Sequence, residues 1–312
     1  MKSLPIFLLL AGSSIAAGRA NPIHHGKPAP VQDAVPFAFG PFDMYRGPYA
    51  AEGFTAGVTY AEPRGLVALL AKLRTNQQRA FLSLTGGGHD PYISNGRFDL
   101  DRWKAGVDRY RASELYGALE SGVADGTVLG YVMLDEPSHP SWGGALTKAV
   151  VDTMAAYCKA TFPFMPCGVT VDYRWRPDER YHLVDFIISQ TWKEKQTPSA
   201  FRDSAVAMAR RNGVALVLSI NLFAAAPTRG CELYHDRCLM RPAEVHDWGH
   251  AFLSEPYACA VMMWHYDPDM WERPEYQAQF QDLASLARQR AEKGCRRTGG
   301  QADGTESSSP TK

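Results

Sequence analysis

Asp135-Glu136-Pro137 follows the apolar run Val128 to Leu134, VLGYVML. A carboxyl held against apolar walls has its charged form disfavoured, so it keeps its proton to higher pH and can serve as a general acid. Pro137 ends a strand and stiffens its exit. The plainer reading of Glu136 is a strand-end carboxylate that caps the next helix or pairs with an arginine. A second carboxylate is available at Asp172, after the run Gly168 to Val171, and a third at Asp267, after Ala258 to Trp264. An earlier run ends near Asp43 and Tyr45, and Gln190-Thr191-Trp192, Tyr173, Asn221 and Trp264 stand at the ends of others.

These residues do chemistry together only if one architecture gathers them. The spacing predicts strands over Pro36–Met44, Phe54–Tyr60, Ala80–Thr85, Val128–Leu134, Gly168–Val171, Val184–Ser189, Val214–Ile220 and Ala258–Trp264. Helical spacing fills Pro63–Leu73, Asp99–Glu120, Leu146–Thr161, Ser199–Arg211, Pro242–Leu253 and Glu275–Arg290. Asn212-Gly213 is a helix stop. Several of the strands are apolar throughout, as a parallel sheet covered on both faces requires. The expected fold is α/β, a single (β/α)8 TIM barrel. An open doubly wound sheet would carry a glycine-rich phosphate loop after its first strand, and Gly86-Gly87-Gly88 lacks that spacing.

A barrel displays its chemistry at the C-terminal ends of its strands. Every candidate above falls there, whereas the other ends are plainer. Aromatic rings stack on the apolar faces of sugars, amides and carboxylates bond hydroxyls, and two facing carboxyl groups cleave glycosidic bonds. The expected activity is therefore acid/base hydrolysis of a poly- or oligosaccharide. Glu136 is the acid, Asp172 the second carboxylate, and Asp135, Asp43, Tyr173, Gln190, Trp192, Asn221, Trp264 and Asp267 line the sugar site.

Asp135-Glu136-Pro137 at a fourth strand end resembles the Asn-Glu-Pro signature of the retaining glycoside hydrolase superfamily of (β/α)8 barrels. The resemblance implies that Glu136 is the acid/base and that Trp264, at the end of strand eight, lines a sugar subsite. Two departures stand against carrying the whole mechanism over. Asp135 replaces the signature Asn, and the strand-seven nucleophile of that superfamily is missing from Ser219-Ile220-Asn221-Leu222. The nearest downstream carboxylate is Glu232. A catalytically silent glycan-binding barrel is therefore the alternative, and a metal-dependent hydrolase a further one.

Other chemistry is less well supported. His89, His139 and His265 could join carboxylates around a metal, but a tight HxH pair on the first strand is absent. His246 and His250 share a helix face as in HExxH metalloproteases, without that motif's Glu, and read as a solvated face. No cofactor is expected. There is no GxSxG elbow for serine catalysis. Trp103 and Trp248 read as packing residues.

Formal net charge is zero across 312 residues, which gives no support for nucleic-acid partners. Met1-Lys2, an apolar run from Leu4 to Leu10 and small residues around Ala16 and Ala20 form a signal-peptide pattern, too short to span a bilayer. The expected organisation is a signal peptide over residues 1–20, a barrel over 30–295 and a disordered tail over 296–312, in a secreted or periplasmic protein with a carbohydrate partner. Six cysteines suit an oxidising compartment. Spacing suggests the pairs Cys158–Cys167, Cys231–Cys238 and Cys259–Cys295. Zinc is the competing use, but no two cysteines have the close spacing of zinc-ligand pairs.

Overall fold

The computed structural model describes residues 35–42, 53–86, 88–191, 196–224, 232–234, 237–264 and 266–297. Asp43, Tyr45, Gly87, Trp192, Cys231 and His265 lie outside the described residues, as do the terminal segments. The expectations placed on them stay expectations. No described helix is long and apolar enough to cross a membrane.

Eight parallel strands form the central sheet: β1 (Ala38–Pro41), β2 (Ala56–Tyr60), β3 (Arg79–Ser83), β4 (Val128–Asp135), β5 (Cys167–Thr170), β6 (Phe186–Gln190), β7 (Ala215–Asn221) and β8 (Ala258–Trp264). Neighbours pair in chain order from β2 to β8, and β8 pairs with β1. A parallel bridge between Phe42 and Val58 joins β1 to β2 and closes the ring. The fold is thus a single (β/α)8 barrel, as the apolar runs require.

Helices α1 (Leu66–Thr75), α2 (Leu100–Asp108), α3 (Ser113–Ala124), α4 (Lys148–Thr161), α5 (Pro198–Asn212), α6 (Pro242–Leu253), α7 (Pro268–Trp271) and α8 (Pro274–Arg288) complete the described helices. Local chemistry sets their ends. The Asp99 carboxylate accepts from the backbone N–H groups of Asp101 and Arg102 at the start of α2. Thr147 and Thr197 cap α4 and α5 in the same way. Gly213 ends α5 in the left-handed conformation, φ +63°, as the Asn212-Gly213 stop predicts. One expectation is corrected: Asp99–Glu120 is two helices, α2 and α3, separated by the turn Arg109–Ala112. Tyr110 is fully buried there and its hydroxyl donates to the carbonyls of Ala61 and Leu84, which ties the break to the barrel.

The core has two parts. One, including Leu66, Trp103, Met154, Phe252 and Phe280, lies between the sheet and the helices. The other fills the ring with Ala56, Val58, Phe81, Val132, Phe186, Ile188, Val217 and Met262. Phe81 and Phe186 meet there, centroids 5.0 Å apart. Gly168 makes that packing possible, because a Cβ on it would sit 2.3 Å from the Phe186 ring. Trp103 is fully buried, and Trp248 packs on Phe201 and Phe252, so both are packing residues as expected.

Two of the expected disulfides are present. Cys158–Cys167 joins α4 to β5, and Cys259–Cys295 joins β8 to the segment after α8. Cys238 is also disulfide-bonded, and its expected partner Cys231 is outside the described residues.

Candidate active site

Strand β4 carries Asp135 as its last residue, and the strand then breaks sharply. Glu136 has φ +42°, in the left-handed region that side-chain-bearing residues rarely adopt. Three hydrogen bonds hold it there. Its N–H donates to the Thr170 carbonyl on β5 at 3.1 Å. Its carbonyl accepts from the His139 N–H at 2.8 Å and from the Trp142 indole N–H at 3.0 Å. Consecutive residues of a pleated strand face opposite ways. The left-handed residue ends that alternation, and Asp135 and Glu136 line the same cleft.

That cleft lies at the C-terminal mouth of the barrel, with a volume of about 260 Å³. Gln190 ends β6, Asn221 ends β7 and Trp264 ends β8, and all three line it with Asp135 and Glu136. His139, Phe223 and Arg237 complete the lining. A second hollow of about 250 Å³ adjoins it, walled by Tyr60, Ser83 and Thr170 among others. Asp135 and Trp264 belong to both hollows. The mouth is therefore one groove with a carboxylate and an indole at its middle.

Burial pushes the Glu136 carboxyl above its ordinary pKa. His139 and Arg237 oppose that shift, and the negative charge of Asp172 adds to it. The Glu136 carboxyl has no hydrogen-bond partner among the described residues, and the same holds for the side chains of Gln190 and Arg237. Gln190 is nearly buried and Arg237 is exposed, so the groove offers an amide and a guanidinium to a ligand.

Arg237 arrives by a detour after β7. A small antiparallel sheet of Phe223–Ala224, Arg237–Leu239 and Leu233–Tyr234 leaves the barrel there. It sets the Arg237 guanidinium 5.4 Å from the Trp264 ring centroid and Phe223 edge-on to the same ring at 5.9 Å. On the other flank, His89 and His139 both meet the Ser141 hydroxyl, and His89 packs on Trp142. Burial and the neighbouring His139 hold the His89 pKa below its ordinary value.

The remaining sequence candidates stand apart from this groove. Asp172 is gripped by Arg174, whose Nη2 lies 2.5 Å from Oδ2 and whose backbone N–H donates to Oδ1 at 2.8 Å. Tyr173 bonds Gln196 through its hydroxyl and packs edge-on to Phe201. Asp267 caps α7, accepting from the Asp269 N–H at 3.0 Å. Glu232, the carboxylate nearest after β7, is ion-paired with Arg273. None of the four is among the described residues that line the groove. Sequence reasoning missed Tyr60, Phe223 and Arg237 as lining residues. Tyr60 and Ser83 end strands β2 and β3, so the strand-end rule reaches them. Arg237 follows from a loop path with no periodic signal.

No family model matches this chain, and no curated protein matches it. Solved structures share its fold. A GH5_18 protein from Bifidobacterium longum subsp. infantis superposes with a TM-score of 0.57 at 13% identity, covering 83% of this chain and 80% of that one. The endoglucanase Cel5A of Pseudomonas stutzeri gives 0.52 at 13% identity, covering 82% and 89%. A xylanase of Cellvibrio japonicus, solved with xylopentaose, gives 0.51 at 8% identity, covering 86% and 69%. The chain is thus a (β/α)8 barrel of the shape that glycoside hydrolases use. At such identities the likeness concerns the fold.

Proposed function

We propose that this chain is an exported carbohydrate-active hydrolase in which Glu136 is the general acid. The observation that carries the reading is the pairing of two facts at one residue. Glu136 is held by three hydrogen bonds to its backbone in a left-handed conformation at φ +42°, and burial raises the pKa of its carboxyl beside an open groove. A raised pKa favours a proton donor, and strained backbone at a groove is a mark of function more than of stability. Gln190, Asn221 and Trp264 supply amides for hydroxyls and a ring for stacking.

The second carboxylate is Asp135 or Asp172. Asp135 lines the groove with Glu136, and Asp172 is ion-paired with Arg174. The two disulfides suit an extracellular or periplasmic setting, in keeping with the signal-peptide pattern. Xylopentaose, bound by one of the proteins of similar fold, is a convenient first oligosaccharide to try.

The deciding experiment screens the chain and its Glu136→Gln variant against a panel of oligosaccharides. Turnover by the parent that disappears in the variant, with glycan binding retained, supports the reading. Turnover undiminished in Glu136→Gln refutes it. Comparing Asp135→Asn with Asp172→Asn then assigns the second carboxylate by the larger loss of kcat.

A catalytically silent glycan-binding barrel is the second reading. It is favoured by Asn221 at the end of β7 and by the occupied Asp172 carboxylate. Binding to the panel with no turnover by the parent selects it. For a metal-dependent hydrolase the donor geometry is unfavourable. Among the described residues, the group of three metal-donor side chains that lie together is on α6 and α8, outside the barrel mouth.

A further inference from the structure

His246 and His250 stand one turn apart on α6, and Asp282 faces them from α8. His250 Nε2 lies 2.8 Å from Asp282 Oδ2, and His246 Nε2 lies 3.9 Å from the same oxygen. The imidazole centroids are 4.2 Å apart. One donor atom from each of the three residues falls within 4.8 Å of the others. A tetrahedral ion with nitrogen and oxygen ligands at about 2.0 to 2.2 Å holds those ligands roughly 3.3 to 3.6 Å apart. The observed separations bracket that spacing, so small rotations of three half-exposed side chains would close the set.

Two further features point the same way. His246 Nδ1 lies 3.2 Å from Asp247 Oδ1, which turns Nε2 toward Asp282. A carboxylate on the far nitrogen is the arrangement that orients and strengthens a metal-binding imidazole. The helices are also pinned together between the two histidines. A Cβ on Gly249 would sit 2.3 Å from Leu283 Cδ1, so this glycine lets α6 and α8 approach closely beside Asp282. A simple surface ion pair would need one histidine. Here two imidazoles converge on one carboxylate oxygen.

We propose that His246, His250 and Asp282 form a binding site for a divalent transition-metal ion, zinc foremost, on the outer wall of the barrel. Two imidazoles and a carboxylate are borderline ligands that suit zinc over magnesium or calcium. Three protein ligands leave a fourth position for water or a donor from another molecule. The site clips α6 to α8 and is independent of the chemistry proposed for the groove. The sequence shows only half of it, because Asp282 comes from the next long helix.

Zinc titration calorimetry on the untagged, chelator-treated chain tests this. One zinc per chain is expected, with affinity falling at least about tenfold in Asp282→Asn and binding lost in His246→Ala/His250→Ala. The melting temperature of the parent should rise by about 5 °C at a hundredfold excess of zinc over Kd, and that of the double variant should not. Cobalt in place of zinc should give the visible absorption of a tetrahedral centre in the parent alone. Both variants change half-exposed side chains, and their melting temperatures without metal show whether they are folded. Zinc binding that survives in the folded double variant, or a parent that binds none, overturns the proposal.

Discussion

The Trp142 indole N–H donates to the Glu136 carbonyl at 3.0 Å, across a turn of six residues that also carries His139 and Pro140. Trp142 is itself almost fully buried, against His89 and Phe98. The rigid ring fixes a peptide whose own residue prefers another conformation. Its counterpart is the Glu136 N–H bond to Thr170 on the neighbouring strand. Conformational strain at Glu136 is therefore maintained by packing around it, and that has measurable consequences.

Replacing Glu136 by glycine should stabilise the fold while removing activity. A side-chain-bearing residue in the left-handed region costs about 1 to 2 kcal/mol, and the half-buried carboxyl adds to that. Glycine gives back part of the gain through the entropy of the unfolded chain. A net gain of about 1 kcal/mol corresponds to a melting temperature roughly 2 to 4 °C higher. Calorimetry of Glu136→Gly checks it, and a lower melting temperature would show that the strain is not felt.

Glutamine at the same position isolates the charge. The folded Glu136 pKa is raised above its ordinary value of 4.5. A group with a raised folded pKa contributes stability that is complete below the unfolded pKa and is lost as pH rises through the folded one. Glu136→Gln keeps the volume and the strained backbone but cannot ionise. Its melting temperature should match the parent in acid and exceed it at neutral pH. Equal values at both pH settings would mean that burial does not penalise the carboxylate.

Arg237 sets how far that shift goes. Its positive charge draws the Glu136 pKa down against the larger effect of burial. An acid catalyst loses activity as it deprotonates, so the alkaline limb of kcat/KM follows the Glu136 pKa. Arg237→Gln should move that limb to higher pH and weaken its dependence on salt. A limb that stays or moves down separates Arg237 from Glu136.

The barrel was legible because its strands are buried on both faces and so read as unbroken apolar runs. The site was legible in part, through the rule that strand ends face the mouth. That rule brings Asp135, Glu136, Gln190, Asn221 and Trp264 to one groove. It has no means of telling a free carboxylate from a bound one, and so it cannot see that Arg174 holds Asp172 or that Asp267 caps α7. It is also blind to excursions: Arg237 reaches the groove through an antiparallel detour between β7 and α6. The left-handed turn at Glu136 is likewise silent, since glutamate is not a residue that announces it.

The two described disulfides should differ in worth. Cys158–Cys167 spans 9 residues and Cys259–Cys295 spans 36. Loop-closure entropy grows with the logarithm of that length, which makes the longer link stronger by about 1 kcal/mol. All four sulfurs are buried, so the alanine pairs leave comparable cavities. Chemical denaturation of Cys158→Ala/Cys167→Ala and Cys259→Ala/Cys295→Ala should show the second pair less stable by that margin. The reverse order would point to native-state packing in place of chain entropy.

Trp264 is the residue on which binding should depend most. It walls both hollows of the groove, with Phe223 against its edge and Arg237 over its ring. Its removal takes away the stacking face and frees the guanidinium that rests on it. Loss of about 1.4 kcal/mol of contact is a tenfold loss of affinity. Glu136 is held by Thr170, His139 and Trp142, and the Trp264 ring is not one of the groups that hold it. The chemical step should therefore persist. Trp264→Ala is expected to raise KM by about tenfold with a much smaller change in kcat. Oligosaccharides long enough to fill both hollows should suffer more than those that fill one, because the ring is shared. A fall in kcat at unchanged KM would instead place Trp264 in the transition state and not in the subsite.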